Sequence, residues 1–424
     1  MTDTSLDTDT TTGTTTGTTT GTVPSDRRLW NSALLHAAFA YVFSRACVMA
    51  GAAIVAAELR ADENLREARF PWMRIGDVHY ANRVIPRSAL RPIVDVLTSW
   101  DGIWYLRVVR MGYPTSIPRN VTWDDIQARA AFFPAYPTLV RWVDRVLPGG
   151  DTMAALFTNL VLGAVAVWLV GLLARELFDV RVAERSMVLM AIFPGSFVLS
   201  FAYTEALLLV LAAACLLMLV RRNWWAAGAL AAIGTATRPN GIALIAACGV
   251  AAFLAIRERR EWKALVAAVL SPLGFVAFQL ALDHHAGERG AWFRVQSEAW
   301  DEGTSFGLTA LRRTAKAFIH PLSSPTDLIT GVSLLTLIAL IWMMRRHRLP
   351  APVTAYVVVV VLLMLLPSTV TARPRFIYTA FPLLISAAAW VERERPEWKA
   401  YVYAACAAGL VTLTSLYGVL GAIP

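Results

Sequence analysis

The chain alternates between long apolar runs and short polar segments. Most of the runs approach the roughly 20 residues that a helix needs to cross the hydrocarbon core of a bilayer. They cover residues 32–58, 153–178, 186–202, 204–220, 224–237, 241–256, 264–283, 327–344, 353–368, 376–391 and 400–422. The pattern predicts an all-α polytopic membrane protein with about eleven transmembrane helices.

Composition agrees with a membrane protein. The chain is 57% hydrophobic, its mean hydropathy is +0.52 and only 16% of its residues are charged, whereas about 25% are charged in soluble domains. The Thr/Gly-rich segment 1–31 differs, because it has too few apolar residues to form a core, and we expect it to be disordered. The remaining 32–424 is predicted to form one transmembrane domain with two long loops, 59–152 and 284–326.

The polar segments between the runs form two alternating sets. One set is rich in arginine and comprises residues 26–28, 175–185, 221–223, 257–263, 345–348 and 392–399. The positive-inside rule places this set, and the N-terminus, in the cytoplasm. The other set comprises 200–205, 235–241, 368–376 and the two long loops, which we expect on the outer face. Topology thus accounts for the net charge of +9, and no nucleic-acid-binding motif is present. The abundance of alanine and arginine suggests a bacterial plasma membrane.

The first long loop contains "WDGIWYLRVVRM", residues 100–111. Its apolar positions predict an amphipathic helix that lies on the membrane surface, with Arg107 and Arg110 on the polar side. Asp101 falls in the first turn, between Trp100 and Trp104. A carboxylate there interacts favourably with the helix dipole, and it is also suited to act as a general base at the water–lipid boundary. The residues alone leave both interpretations open.

Charged residues also occur in the short outer segments. Glu205 begins a span, which is costly unless the carboxylate is paired, functional or stabilised by the helix start. Arg238 lies in "TATRPNG", and Arg373 and Arg375 lie in "TARPRF", against the positive-inside bias. Lipid headgroups would explain these arginines, and so would a bound phosphate, which guanidinium groups bind with two parallel hydrogen bonds. We predict that they bind the phosphate of a donor.

The second long loop offers weaker candidates. Gln296 and Trp300 in "FRVQSEAW" are suited to a sugar site, although a solvated loop would have the same composition. The adjacent pairs His284–His285 and Asp124–Asp125 do not have convincing metal-ligand spacing. We therefore expect no metal and no other cofactor.

Seven motifs, taken together and in order, resemble the PIG-V-type mannosyltransferases and their bacterial relatives over roughly residues 40–390. They are "SRA", "WDGIWYLRVVRMGYP", "FFPAYPTLVR", "FPGSFVLSFAYTEALL", "ATRPNG", "FRVQSEAW" and "RPRFIYTAFPLL". The resemblance implies a GT-C fold with membrane-lying helices in the first outer loop, and an inverting transfer from polyprenyl-phosphate-mannose. It implies Asp101 as general base, with Glu205 and Arg238 near the site. We assign substrate contacts to motif residues Trp100, Trp104, Tyr136, Tyr203, Glu205, Asn240, Gln296 and Trp300.

The residues agree with such a reaction. Inversion needs one base, because the acceptor hydroxyl attacks the anomeric carbon from the opposite face. The outer arginines would stabilise the leaving phosphate without a metal. No nucleotide-binding motif is present, so the donor must be a lipid-linked sugar. The acceptor could be a glycolipid, a glycan or a protein, and the oligomeric state is open.

Three alternatives remain at the level of sequence. The enzyme could use another polyprenyl-phosphate sugar. The chain could instead be a transporter or flippase for a lipid-linked sugar, for which internal repeats and broken midplane helices are typical. It could also be an inactive scaffold that binds a glycolipid.

Overall fold

A computed structural model describes residues 26–61, 91–321, 323–369 and 372–420 of the chain. In these ranges all regular structure is helical, apart from one isolated β-bridge between Thr304 and Pro367. The prediction of an all-α protein is confirmed. Disorder was predicted for residues 1–31, but residues 26–31 are helical, since the first helix begins at Asp26, where the helix dipole favours an acidic residue. Residues 1–25 and the segment 62–90 of the first long loop lie outside the described residues.

The helices are numbered here in chain order. They are α1 (Asp26–Ala61), α2 (Arg91–Leu97), α3 (Asp101–Met111), α4 (Ala135–Asp144), α5 (Gly150–Leu177), α6 (Val180–Ile192), α7 (Glu205–Val220), α8 (Trp224–Thr235), α9 (Ala243–Arg259), α10 (Leu265–Leu270), α11 (Leu273–Ala286), α12 (Ala291–Glu298), α13 (Leu308–Ile319), α14 (Pro325–Arg346), α15 (Ala351–Leu365), α16 (Pro374–Thr379), α17 (Pro382–Arg393) and α18 (Lys399–Gly418).

The apolar runs of the sequence coincide with these helices. In the described part of the chain, six helical stretches are long and apolar enough to cross a membrane: Asp26–Ala57, Gly150–Leu177, Pro239–Arg259, Trp262–Ala286, Pro325–Arg346 and Pro396–Gly418. Two shorter apolar helices are Glu205–Val220 and Ala351–Leu365. These helices identify a multi-pass membrane protein, and the number of eleven spans stays a prediction.

Prolines interrupt three of the predicted spans. Pro194 begins a 3₁₀ helix directly after α6, Pro272 separates α10 from α11, and Pro382 begins α17 after α16. Proline has no amide hydrogen to donate and its ring clashes with the preceding turn, so a helix ends or restarts there. The runs 186–202, 264–283 and 376–391 are therefore broken helices.

Close packing around Gly195 brings two of these breaks together. A Cβ atom on Gly195 would collide with the carbonyl group of Pro374. The 3₁₀ helix Pro194–Leu199 thus lies directly against the start of α16, and it also packs on α18. This contact places the "RPRF" motif beside the segment that leads to Glu205.

Helix α3 differs from its prediction. Residues Gly102 to Val109 are buried, including Arg107, and the helix packs against α4 and α5. The Arg107 guanidinium lies over the Trp104 ring at 4.4 Å. Arg141 of α4 donates from Nε to the Val109 carbonyl and from Nη2 to the Val108 carbonyl, both at 2.6 Å. The prediction of an exposed amphipathic face is wrong, because neighbouring helices bury the face that the sequence pattern made polar.

The two alternating sets of loops make contacts within each set. At the arginine-rich end, Arg185 pairs with Glu392 at 2.9 Å and Arg393 with Asp179 at 2.7 Å. At the other end, the Ala202 amide donates to the Leu97 carbonyl at 2.9 Å, and the Ala135 amide donates to the Ala236 carbonyl at 3.1 Å. The end with the Arg185 and Arg393 pairs is called the arginine-rich end, and the end with Ala135 and Ala202 is called the site end. Which of them faces the cytoplasm stays a prediction.

Candidate active site

Residues from four distant segments meet at the site end: 97–101, 201–205, 235–240 and 373–376. The Thr204 hydroxyl donates to the Thr237 carbonyl at 3.3 Å, and Asn159 Nδ2 donates to the Tyr203 carbonyl at 2.7 Å. Asn159 lies on α5 and is fully buried. Its role in holding the backbone before Glu205 was missed by the sequence analysis, because an amide within an apolar run has no motif around it.

The centre of this region is a group of four charged side chains, which we call the charge quartet: Asp101, Glu205, Arg238 and Arg375. Arg375 Nη1 donates to Asp101 Oδ2 at 2.6 Å and lies 3.8 Å from Glu205 Oε1. Arg238 Nη1 pairs with the same Glu205 oxygen. Two carboxylates and two guanidinium groups balance, so the quartet has a formal net charge of zero.

The two carboxylates differ in accessibility. The Asp101 side chain is 25% exposed, whereas the Glu205 side chain is 0% exposed. A substrate arriving from outside can therefore contact the Asp101 carboxylate directly. Glu205 instead contacts both guanidinium groups and offsets their charge in a buried position, where an unpaired ion would be costly.

Several quartet atoms keep hydrogen-bonding capacity. Within the described ranges, Glu205 Oε2 and the Nε atoms of Arg238 and Arg375 are buried without a hydrogen-bond partner. The side-chain amide nitrogen of Asn240, two residues after Arg238, is likewise buried and has no hydrogen-bond partner among the described residues. Buried polar groups are normally hydrogen-bonded. This group, with donors on Arg238, Arg375 and Asn240 and an acceptor on Glu205, is therefore suited to a polar ligand.

Aromatic rings border the quartet. The Arg375 guanidinium lies 5.7 Å from the Tyr203 ring centroid and 4.8 Å from that of Phe376, and Arg238 lies 5.8 Å from the Phe376 centroid. Tyr105, one turn after Asp101, packs edge-to-face on Tyr136 at 5.4 Å. Phe376 and Tyr105 were missed by the sequence analysis, although each lies within four residues of a predicted site residue. Tyr136 packs on Tyr105, and its hydroxyl donates to the Ala155 carbonyl at 3.3 Å.

Asp101 is positioned by an unusual backbone. Trp100, which precedes α3, has φ 57° and ψ −123°. Holding a residue other than glycine in this backbone conformation costs about 1–3 kcal/mol, so the conformation persists only where the surrounding structure stabilises it. The Trp100 indole donates to the Tyr417 carbonyl of α18 at 3.0 Å. Trp100 thus anchors the start of α3, and Asp101 lies in its first turn as predicted.

The predicted phosphate-binding arginines converge on this site. Arg373 is fully buried and lies two residues before Arg375, directly before α16. Three arginines from two distant motifs, Arg238, Arg373 and Arg375, therefore lie together at the candidate site. With Arg373 included, the formal charge of the site is +1.

An aromatic cluster surrounds Trp104 of α3. Trp104 stacks on Phe132 at 5.9 Å and meets Trp300 edge-on at 5.5 Å, while Phe132 and Trp300 are 5.6 Å apart. Trp300 thus joins a motif of the first long loop to one of the second. Gln296 lies on α12 and is half-buried, and no hydrogen bond joins it to the quartet among residues with described positions.

Among the other acidic and histidine candidates, His285 Nε2 lies 3.2 Å from the Tyr113 carbonyl oxygen. Asp125 accepts a hydrogen bond from the Thr122 amide at 2.7 Å, while Asp124 is exposed. Asp283 accepts from the amides of Gly290 and Ala291, at 2.9 and 3.0 Å, at the start of α12. In the ranges given above, no three His, Cys, Asp or Glu residues are grouped to hold a metal ion.

Comparison with known proteins gives the family. Residues 136–369, more than half of the chain, match the model of glycosyltransferase family 87. The chain belongs to this family. The match confirms the prediction of a glycosyltransferase, and it includes Glu205 and Arg238. The likeness to PIG-V-type mannosyltransferases, and mannose itself, stay predictions. No curated protein matches this chain.

Three solved structures are similar in part. ArnT from Cupriavidus metallidurans bound to undecaprenyl phosphate has 13% sequence identity and a TM-score of 0.47, covering 79% of this chain and 77% of that one. The apo Archaeoglobus fulgidus oligosaccharyltransferase has 12% identity and a TM-score of 0.40, covering 69% and 48%. The archaeal oligosaccharyltransferase AglB from Archaeoglobus fulgidus, in complex with an inhibitory peptide and a dolichol-phosphate, has 14% identity and a TM-score of 0.36, covering 68% and 47%. This chain spans about half the length of the archaeal protein.

Proposed function

We propose that this family 87 protein is an inverting GT-C-type transferase. It moves a sugar from a polyprenyl-phosphate carrier to a hydroxyl group at the outer face of the membrane. The sugar is mannose on the basis of the motif resemblance. The observation that carries the proposal is the charge quartet, in which one accessible carboxylate and one fully buried carboxylate are joined through Arg375.

Asp101 is the general base in this proposal. The acceptor hydroxyl attacks the anomeric carbon as its proton passes to the Asp101 carboxylate, and the bond from that carbon to the phosphate oxygen breaks. The phosphate oxygen takes the bonding electron pair. Attack from the opposite face inverts the anomeric centre, so one base suffices. The 25% exposure of Asp101 supports this role over Glu205.

The arginines receive the phosphate. A sugar–phosphate–lipid diester carries one negative charge, and the leaving phosphate gains a second. Arg238, Arg373 and Arg375 offer donors that are already in place, so little reorganisation is needed as this charge develops. When no sugar donor is bound, the negative charges of Asp101 and Glu205 balance the positive charges of Arg238 and Arg375. A donor phosphate that engages Arg375 would release Asp101 for proton transfer. No metal is required in this scheme.

The experiment uses the full-length protein in nanodiscs with radiolabelled polyprenyl-phosphate-mannose and a bacterial lipid extract as acceptor. Wild type is compared with Asp101→Asn and with Asp124→Asn, a matched control in an exposed turn of the same loop. We expect product from wild type and from Asp124→Asn. We expect a loss of about 10²–10⁴-fold in Asp101→Asn, and no effect of EDTA.

Each outcome bears on a different part of the proposal. Equal rates for wild type and Asp101→Asn would remove Asp101 as the base. Inhibition by EDTA that added Mg²⁺ or Mn²⁺ reverses would contradict the metal-independent scheme. Product from a polyprenyl-phosphate-linked glucose or pentose, but none from mannose, would keep the reaction class and change the sugar.

A further inference from the structure

A second basic region lies on α13, outside the charge quartet. Arg312, Arg313 and Lys316 face the start of α14 across a cavity of about 460 Å³, which Ser324, Thr326 and Asp327 complete. None of these residues belongs to the motifs that carry the resemblance, and the proposed transfer reaction does not use them.

The cavity has a net positive charge. Lys316 Nζ pairs with Asp327 Oδ2 at 2.9 Å, and Asp327 is buried. Arg313 Nη2 donates to the Thr369 carbonyl at 3.3 Å, and the Arg313 side chain also lines the cavity. Arg312 is exposed. Three cations and one carboxylate give a formal charge of +2 beside two hydroxyl groups.

The outer surface of the same helix is apolar. Leu308, Leu311, Phe318 and Ile319 are all exposed, and so is Phe306 just before the helix. A helix with exposed apolar residues on one side and arginine and lysine on the other is typical of a segment that lies in the interface of a membrane. Its cations are then at the depth of lipid headgroups.

We propose that this cavity is a second anion site, which holds the phosphate group of an anionic lipid at the membrane surface. Guanidinium groups bind phosphate oxygens through paired hydrogen bonds. The hydroxyls of Ser324 and Thr326 add neutral donors, and the amino end of α14, a 22-residue helix, adds a favourable dipole. The proposal goes beyond the transfer reaction and does not depend on it.

The test measures lipid retention by native mass spectrometry on the full-length protein in detergent. The probes are phosphatidylglycerol, phosphatidylcholine and inorganic phosphate. Arg312→Gln removes one cation from the cavity, Asp327→Asn removes its one carboxylate, and Arg289→Gln removes an exposed cation elsewhere at the site end. A cation near an anionic surface contributes about fivefold in affinity.

We expect wild type to retain phosphatidylglycerol over phosphatidylcholine. Arg312→Gln should weaken retention about fivefold, and Asp327→Asn should strengthen it by a similar factor. Arg289→Gln should change nothing. The gain in Asp327→Asn is informative because misfolding cannot produce it. If inorganic phosphate displaces the lipid at equal concentration, the same phosphate site takes free phosphate rather than a headgroup. Equal retention by wild type, Arg312→Gln and Asp327→Asn would overturn the proposal.

Discussion

Both ends of the helix bundle contain arginine–carboxylate pairs, but their burial differs. At the arginine-rich end, the side chains of Arg393 and Asp179 are each 45% exposed, and those of Arg185 and Glu392 are each 19% exposed. At the site end, the Arg375 and Glu205 side chains are 7% and 0% exposed. An exposed pair contributes about 0–1 kcal/mol and needs no further explanation. For a buried pair, the free energy lost by removing both charges from water can exceed the free energy gained from their attraction. The difference is the one expected if the arginine-rich end sets topology and the buried charges at the site end take part in the proposed reaction.

Removing a buried carboxylate should give the largest effect on stability. Glu205→Gln leaves Arg238 buried without its partner, and we expect the free energy of unfolding to fall by about 3–5 kcal/mol. Glu176→Gln, which removes the exposed partner of Arg221 at the arginine-rich end, should cost less than about 1 kcal/mol. Denaturant unfolding in detergent measures both.

A double variant separates stability from activity. Glu205→Gln with Arg238→Gln removes both charges of the pair, so we expect most of the stability to return while activity stays lost. Equal destabilisation by Glu205→Gln and Glu176→Gln would mean that the two ends do not differ as described.

Removing a site arginine should act mainly on the reaction. We expect Arg375→Gln to lower kcat about 10²–10³-fold, because a preorganised cation for the leaving phosphate is lost. Arg375→Lys should recover only part of this, since an ammonium group lacks the planar fork of a guanidinium. Arg393→Gln at the other end is the control, and its kcat should match wild type. A kcat of Arg375→Gln near wild type would contradict the proposed role.

Arg45 provides a test of a buried arginine without a carboxylate. It lies in α1 and donates to the Ser196 carbonyl at 3.0 Å, to Ser200 Oγ at 2.8 Å and to the Ala191 carbonyl at 3.3 Å. Arg45→Gln leaves buried acceptors without donors, so we expect a loss of about 1–3 kcal/mol in unfolding free energy. The kcat of the folded fraction should stay within about twofold of wild type. A loss of kcat as large as that of Arg375→Gln would place Arg45 with the functional arginines.

The smallest expected effect concerns Glu302, in the second long loop. Burial raises the pKa of its carboxyl group, even though the Thr369 hydroxyl donates to it at 3.2 Å. A raised pKa means that the protonated form favours the folded state, and this stability is lost as the pH rises through the raised value. Glu302→Gln should therefore raise Tm by about 1 °C at pH 8. The difference should vanish at a pH below the ordinary pKa of glutamate, and a constant difference across this range would exclude the carboxyl group as its source.

Much of the framework follows from local pattern. The apolar runs coincide with the helices because an apolar segment in a bilayer must satisfy its backbone hydrogen bonds internally. Asp101 at the start of α3 and Glu205 at the start of α7 were predicted from the same pattern. The broken spans were not, although Pro194, Pro272 and Pro382 mark them in the sequence.

The candidate site could be predicted only in part. Arg238, Arg373 and Arg375 were found because arginine in a short outer segment opposes the topological bias. Phe376, Tyr105 and Asn159 were missed, since an aromatic or amide side chain in an apolar run has the same local surroundings whether it borders a site or packs in the core. The exposed face predicted for α3 failed for a related reason, because Arg110 pairs with Asp151 of α5 and neighbouring helices bury Arg107.

The sequence by itself determined the helices, their alternation and the chemical groups available at the site end. Hydropathy and backbone hydrogen bonding act over a few residues, so these features can be read locally. Only the tertiary structure decided that Asp101 and Arg375 would lie 2.6 Å apart, and that Glu205 would be buried while Asp101 stays accessible. Burial and ion pairing depend on which helices pack together, and that is a property of the whole chain.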